Sequence, residues 1–329
     1  MMNVNVPGAI RQLQLFKFEK NAMKYFIILF VTGILVSSCS KAQPANSTSS
    51  NNNSAYVVSN EGNLISWVAN QRLPENLSFC GERVPLEIPE VRERAEREFY
   101  LLLQQPAQLV LYLKRAGRYF DIYDRVIREE GAPSDLKYLS VAESALFMAR
   151  SSKDAVGLWQ FIPATGRAFG LRIDDDVDER RHPEKSTRAG VKYLKQGYNT
   201  FKSWTLAAAG YNMGHENVSE NLRYQQANSF YDLYLNEETS RYVFRIALIK
   251  EFMENGARYG LNIPQGELYK PETYTVVSVD DAIPDLAAWA RGQGTTYKDV
   301  KLFNLWILKR ALPAPERGKP YQIYIPKKS

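Results

Sequence analysis

Along most of this 329-residue chain, apolar positions recur at three- and four-residue steps, the period of helices with one buried face. That period predicts a helix over 91–104, with Ala95, Phe99, Leu102 and Leu103 on one side. Two more follow over 106–115 and 119–130, the second closed by Gly131. In the next helix Leu136, Leu139, Glu143 and Leu146 share a face, and Ser134 is a candidate cap. Further helices are expected over 163–169, 187–198, 204–211 and 237–255. In the last, Tyr242, Ile246, Ile249 and Met253 make the buried stripe and Gly256 ends it. Residues 60–90 are loosely patterned, with Pro74, Pro85 and Pro89 interrupting any long element. After Pro264 the period changes: 274–279 and 321–326 alternate like strands, with a helix over 283–291 between them. The chain reads as mainly α, with a small α/β module at its C-terminal end.

One position breaks the apolar pattern informatively. Glu143 lies on the face its helix should bury, and burying a carboxylate costs several kcal/mol unless it is paired or protonated. A low-dielectric setting raises its pKa, which suits a general acid working near neutral pH. From spacing alone, a core carboxylate satisfied by a buried Arg or by backbone amides fits equally well. Gly157-Leu158-Trp159-Gln160-Phe161 follows, with a glycine for close backbone approach, a large aromatic and an amide. An aromatic face can pack on a sugar ring and an amide can bond an N-acetyl group, but a core Trp explains the segment as well. In Ala207-Ala208-Ala209-Gly210-Tyr211-Asn212-Met213-Gly214, small residues suit a close helix crossing. Gly214 can end the helix at positive φ, leaving Tyr211 and Asn212 at its end.

Composition narrows the classes. Aromatics are 12% of the chain, with 20 Tyr, which fits ring packing and carbohydrate contact. The net charge of +6 suits an anionic polymer or membrane surface, and no basic run is dense enough for nucleic acid. His182 and His215 stand far apart without ligand company, so neither a metal site nor a cofactor is expected. Asp174-Asp175-Asp176 with Asp178-Glu179 lacks the alternating calcium-loop pattern and reads as a solvated loop and helix cap.

The N-terminal region reads as an export signal. Met23-Lys24 opens a basic start, an apolar stretch over 25–36 is shorter than a membrane span, and Val36-Ser37-Ser38-Cys39 closes it. That ending resembles a bacterial lipoprotein signal-peptidase site, with Cys39 the acylated residue. An uncleaved anchor is the alternative. Residues 1–22 then read as a gene-model extension, 23–38 as signal peptide, and 39–58, rich in Ser and Asn, as a flexible tether. Lipidation of Cys39 leaves Cys80 without a disulfide partner.

The three motifs together, in order and separation, resemble the lytic transglycosylases with a goose-lysozyme-like catalytic domain, in the membrane-bound murein transglycosylase D branch. Here they are Glu143-Ser144, Gly157 to Gln160, and Gly210-Tyr211-Asn212, supported by Asp178-Glu179-Arg180, Tyr193-Leu194, Glu238-Thr239 and Tyr242-Val243. The resemblance covers about residues 95 to 262. It implies a lysozyme-like helical catalytic domain over 131–264, behind an N-terminal helical extension over 59–130. The module over 265–329 resembles a degenerate LysM-type glycan-binding fold, with Leu302-Phe303-Asn304 near its Leu-Asn position. A plain α/β cap fits as well. There are departures. Ala145-Leu146-Phe147-Met148 replaces a small residue and proline, the loop to Gln160 is one residue short, and Gly210 stands where the family has alanine.

The resemblance implies an outer-membrane lipoprotein facing the periplasm that cleaves the β-1,4 bond between N-acetylmuramic acid and N-acetylglucosamine in peptidoglycan strands. Glu143 would be the acid and then the base, closing a 1,6-anhydro ring. Ser144, Ser151 (Ser152 on the other count), Gln160, Tyr211 and Asn212 would orient sugars. A hydrolytic muramidase needs the same acid. A non-catalytic glycan-binding lipoprotein would keep the aromatics and lose it.

Overall fold

The computed structural model describes residues 61–327; the signal-like segment, Cys39 and the tether lie outside the described residues. Helix α1 (Glu61–Asn70) precedes a two-residue hairpin, β1 (Ser78–Phe79) and β2 (Glu82–Arg83), turned by Cys80 and Gly81 at positive φ. Helices α2 (Pro89–Leu103) and α3 (Pro106–Glu129) each begin with proline, whose missing N–H costs nothing in a first turn. The two helices expected over 106–130 are one continuous α3. Gly117 does not break it: a Cβ there would meet the Tyr269 carbonyl oxygen at 2.7 Å, so the glycine admits a crossing strand of chain.

The short α4 (Leu136–Ser144) is followed by α5 (Pro163–Ala168), α6 (Pro183–Phe201) and α7 (Trp204–Met213). Ser134 does not cap α4. Asp135 stands at the N-cap, and its carboxylate accepts from the Cys80 N–H at 2.7 Å and from Lys250 Nζ at 2.7 Å. Helix α7 is capped from the hairpin: the Glu82 carboxylate takes the Trp204 and Thr205 N–H groups, where a helix dipole favours negative charge. Helices α8 (His215–Gln225) and α9 (Glu237–Glu254) complete this part.

Helix α9 is the axis of the main core. Tyr242, Val243, Phe244, Ile246, Ala247, Leu248, Ile249 and Phe252 are all buried, a wider face than the expected stripe, because helices cover α9 on several sides. Phe99 of α2 stacks on Phe252 at 5.4 Å, so the N-terminal helices share this core. The Glu98 carboxylate, 1% exposed, pairs with Arg241 and lies 3.5 Å from Arg245, fixing the rotation of α9.

A second core belongs to the C-terminal module. Strands β3 (Tyr274–Val279) and β4 (Tyr321–Pro326) pair antiparallel, with Val277 opposite Ile323, and α10 (Leu286–Gly292) and α11 (Tyr297–Phe303) lie between them in the chain. Asn304, fully buried, bonds the Tyr324 N–H at 2.8 Å and its carbonyl at 2.7 Å, tying the end of α11 to β4. Val177, from the acidic loop of the helical part, is buried within this second core. That loop turns on the Asp174 carboxylate, which accepts the Asp176 and Val177 N–H groups at 2.9 and 2.8 Å.

Candidate active site

Glu143 lies in the last turn of α4, at a cleft of about 560 Å³ that also takes in Ser151, Gln160, Tyr193, Tyr211, Asn212 and Glu238. The helix ends immediately after it. Ala145 and Leu146 both adopt left-handed backbone at φ +54°, which costs roughly 1–2 kcal/mol for each L-residue, and Arg115 Nη1 clamps the Ala145 carbonyl at 2.9 Å. Beside this sharp exit Glu143 is half-buried and lines the cleft. Its Oε1 accepts a hydrogen bond from the Tyr242 hydroxyl, projected from the buried face of α9. Desolvation pushes the Glu143 carboxyl up to about 7. The Tyr242 bond opposes that rise, the Glu238 charge adds to it, and Arg245 opposes it. Glu143 therefore holds a transferable proton over much of the neutral range.

The structure divides the expected polar residues. Ser151 lies on the cleft wall, its Oγ accepting the Lys153 and Ala155 N–H groups at 3.2 and 3.0 Å, and Ser152 lines the same wall. Gln160 sits at φ +48°, its amide donating to the Gly157 carbonyl at 2.7 Å. The Tyr211 hydroxyl donates to the Trp159 carbonyl at 2.7 Å, leaving the ring as cleft wall. Asn212 donates to Glu238 Oε1 at 3.2 Å and accepts from the Thr239 hydroxyl at 2.7 Å.

Ser144 departs from expectation. It is buried, and its hydroxyl serves the Ser140 carbonyl at 3.1 Å and the Leu158 carbonyl at 2.8 Å. It holds the Gly157–Gln160 segment against α4 and does not line the cleft. The reason is helical phase: one residue after Glu143, the side chain is rotated about 100° away from the cleft face. Trp159 is likewise core. It is fully buried, donates Nε1–H to Thr187 Oγ1 at 2.9 Å, and packs where a Cβ on Gly190 would stand 2.5 Å from its ring.

Gly157 has φ +89°, and a Cβ there would meet the Arg180 carbonyl oxygen at 2.0 Å. Gly210, where the resembled family has alanine, makes room for His215, since its Cβ would fall 2.1 Å from His215 Cδ2. The His215 ring sits 4.4 Å from that of Tyr193, which faces the cleft.

Two residues of the site, one behind Glu143 and one on the cleft wall, were given no role from sequence. Tyr242 read as part of a buried stripe and as a matching position of the resembled family, without a role, although a phenol in an apolar face needs a polar partner. Glu238, at the start of α9, is a second carboxylate facing the cleft. A separate cleft of about 620 Å³ between α6 and β4 lies away from Glu143. Its charged side chains are largely satisfied by one another, Lys185 by Glu179 and Lys319 by Glu316. Among the described residues no group of three or more His, Cys, Asp or Glu gathers to hold a metal ion.

With this geometry in hand, the relatives are informative. Residues 126–234 match the family model of the Transglycosylase SLT domain, and residues 275–329 that of the Soluble lytic transglycosylase C-terminal LysM-like domain. The chain is 28% identical over 258 residues to membrane-bound lytic murein transglycosylase D of Escherichia coli strain K12, and equally to that of strain O6:H1. The match covers 76% of this chain and 55% of the relative, so the chain spans about half the length of the curated relatives it matches. Among solved structures it resembles an inactive mutant of the lytic transglycosylase Slt from Pseudomonas aeruginosa (TM-score 0.36, 23% identity, 46% of this chain and 26% of that one). It also resembles the 70 kDa soluble lytic transglycosylase SLT70 of Escherichia coli (TM-score 0.37, 20% identity, 46% and 27%). The chain carries a transglycosylase SLT domain followed by a LysM-like C-terminal domain, and it is homologous to membrane-bound lytic murein transglycosylase D.

Proposed function

We propose that this protein is a peptidoglycan lytic transglycosylase with Glu143 as its single acid and base. One observation carries the reading: a half-buried carboxyl, pushed up to about 7 and held by a buried tyrosine hydroxyl, at a cleft walled by sugar-sized aromatic and amide surface. Protonated Glu143 delivers its proton to the glycosidic oxygen between N-acetylmuramic acid and N-acetylglucosamine as the C1–O bond breaks. The acetamido carbonyl oxygen of the muramic residue then closes on C1. Glu143, now a carboxylate, takes the proton of the 6-hydroxyl as that oxygen displaces the acetamido group. The products are a free glycan end and a 1,6-anhydro ring, with no water consumed. Ser151, Gln160, Tyr211 and Asn212 serve as preorganised partners for the sugars. The names of the relatives support this chemistry.

Glu238 favours a second reading. A second carboxylate across a cleft can place a water on the opposite sugar face, which is how a hydrolytic muramidase works. Here Glu238 is engaged by the Asn212 amide.

We divide the chain into a helical extension over 59–130, the catalytic domain over 131–264 and a glycan-contacting module over 265–329. We place it in the outer membrane, facing the periplasm, through acylation of Cys39 and the tether over 39–58. The membrane-bound relative supports attachment, and among the described residues no helix is long and apolar enough to cross a membrane.

Glu143→Gln tests the acid. The amide keeps the volume and accepts the Tyr242 hydrogen bond but carries no transferable proton. Turnover of purified sacculi is expected to fall by at least about 10²-fold while glycan binding persists. A variant within tenfold of the native rate would refute the assignment.

A further inference from the structure

The cleft wall over 149–161 has little regular structure, yet it carries Ser151 and Gln160. Its own bonds are turn-like: Ser151 N–H to the Ala155 carbonyl (2.8 Å), Val156 N–H to Phe161 (3.1 Å) and Gly157 N–H to Ala149 (2.9 Å), joined by the local bonds of the Ser151 and Gln160 side chains. From outside, Ser140 and Ser144 hold the Leu158 carbonyl and Tyr211 the Trp159 carbonyl, and Arg180 ties two carbonyls seven residues apart. Arg180 Nη1 donates to the Asp154 carbonyl at 2.7 Å and to the Phe161 carbonyl at 3.0 Å, and the Arg180 carbonyl oxygen lies against Gly157. The Asp178 carboxylate holds that guanidinium bidentately, Nε to Oδ1 at 2.8 Å and Nη2 to Oδ2 at 2.9 Å, with both side chains about 5% exposed. A planar fork held this way is fixed in orientation as well as in charge.

Asp178 is held in turn by the C-terminal module. Its N–H donates to the Trp306 carbonyl at 2.9 Å, the Leu308 N–H donates to the Asp176 carbonyl at 2.8 Å, and Val177 forms a bridge with Ile307 while buried in the module's core. A continuous path of backbone pairing and a buried ion pair thus runs from the module to the cleft wall. We propose that Arg180 is a positioning residue for glycan cleavage, setting the wall that carries Ser151 and Gln160, and that the docked C-terminal module keeps it in place. The inference rests on the proposed function, because the wall matters to activity only if the cleft binds glycan. It gives the module a role in shaping the cleft, separate from any binding of its own.

The test uses the full chain and two independent readouts. Removing Arg180 alone would leave Asp178 buried and unpaired, which can unfold a protein. The variants are therefore Arg180→Lys, the charge-free pair Asp178→Asn with Arg180→Met, and Val177→Asp to undock the module. Amide hydrogen exchange should rise by about tenfold or more over 151–161 in all three, with α9 within about twofold of native. KM for soluble glycan oligomers should rise by about tenfold with kcat nearly unchanged, since Glu143 lies on α4, outside the wall. A purely structural role would lower the active fraction and so kcat at constant KM. Native exchange over 151–161 in the two Arg180 variants, or that kcat loss at constant KM, overturns the positioning role. Native exchange in Val177→Asp alone overturns the link to the module. Exchange is read without turnover, so an enzyme found not to cleave glycan would fail the proposed function while leaving the wall's dependence on Arg180 measurable.

Discussion

Tyr242 reaches Glu143 from a different helix: its hydroxyl, in the buried face of α9, donates to the carboxylate at the end of α4. The two are 99 residues apart in sequence, and their contact joins the core of the molecule to its chemistry. Glu98, holding Arg241 one residue before Tyr242 and lying near Arg245 three residues after, sets the rotation that makes the contact possible.

Tyr242→Phe removes a bond that favours ionised Glu143, so the carboxyl should move further above about 7. The protonated acid then persists to higher pH, and the alkaline limb of the kcat/KM profile should shift upward. The plateau should fall by roughly tenfold from lost orientation of the acid, a part of the 10²–10⁴-fold general acid contribution. A pH–rate series on soluble glycan reads both effects. An alkaline limb that moves to lower pH would contradict the role given to Tyr242.

Gly210→Ala forces a methyl against the His215 ring and should destabilise the fold by about 1–3 kcal/mol, as overpacking does. Adding His215→Ala removes the obstacle, so the double variant should be more stable than the sum of the single losses predicts. A thermal-unfolding cycle with coupling above about 1 kcal/mol supports this packing account. Simple additivity would show that Gly210 is not matched to His215.

The helical period made much of this architecture legible. Leu136, Leu139 and Glu143 announced a carboxylate on a burying face, and Glu143 does stand half-buried at a cleft. Less legible was whatever depends on partners distant in sequence. Helix α8 buries only Val218 among its 11 residues, too little apolar signal to mark it. That the two helices expected over 106–130 are one was not legible, because the chain that crosses α3 at Gly117 lies some 150 residues later. Val177 was hidden in an acidic run, although it is the residue that enters the second core. Ser144 adjoins the acid in sequence, but helical phase turns it inward.

Cys39→Ser should move the protein from the membrane fraction to the soluble periplasmic fraction, because an acyl chain is the proposed attachment. Fractionation with an N-terminal mass measurement reads this. A variant that stays in the membrane with residues 25–36 uncleaved would show a permanent anchor.

The most direct test of the central proposal is the mass of muropeptides released from purified sacculi. Capture of C1 by the sugar's own 6-hydroxyl is favoured by proximity once the cleft excludes water, and Phe161, Tyr193 and Tyr211 line the cleft with rings that can do so. The products should be lighter than hydrolytic ones by one water and should resist borohydride reduction. Muropeptides that are heavier by that water and fully reducible would contradict the proposal, and would make Glu143 the acid of a muramidase with Glu238 the candidate to activate its water.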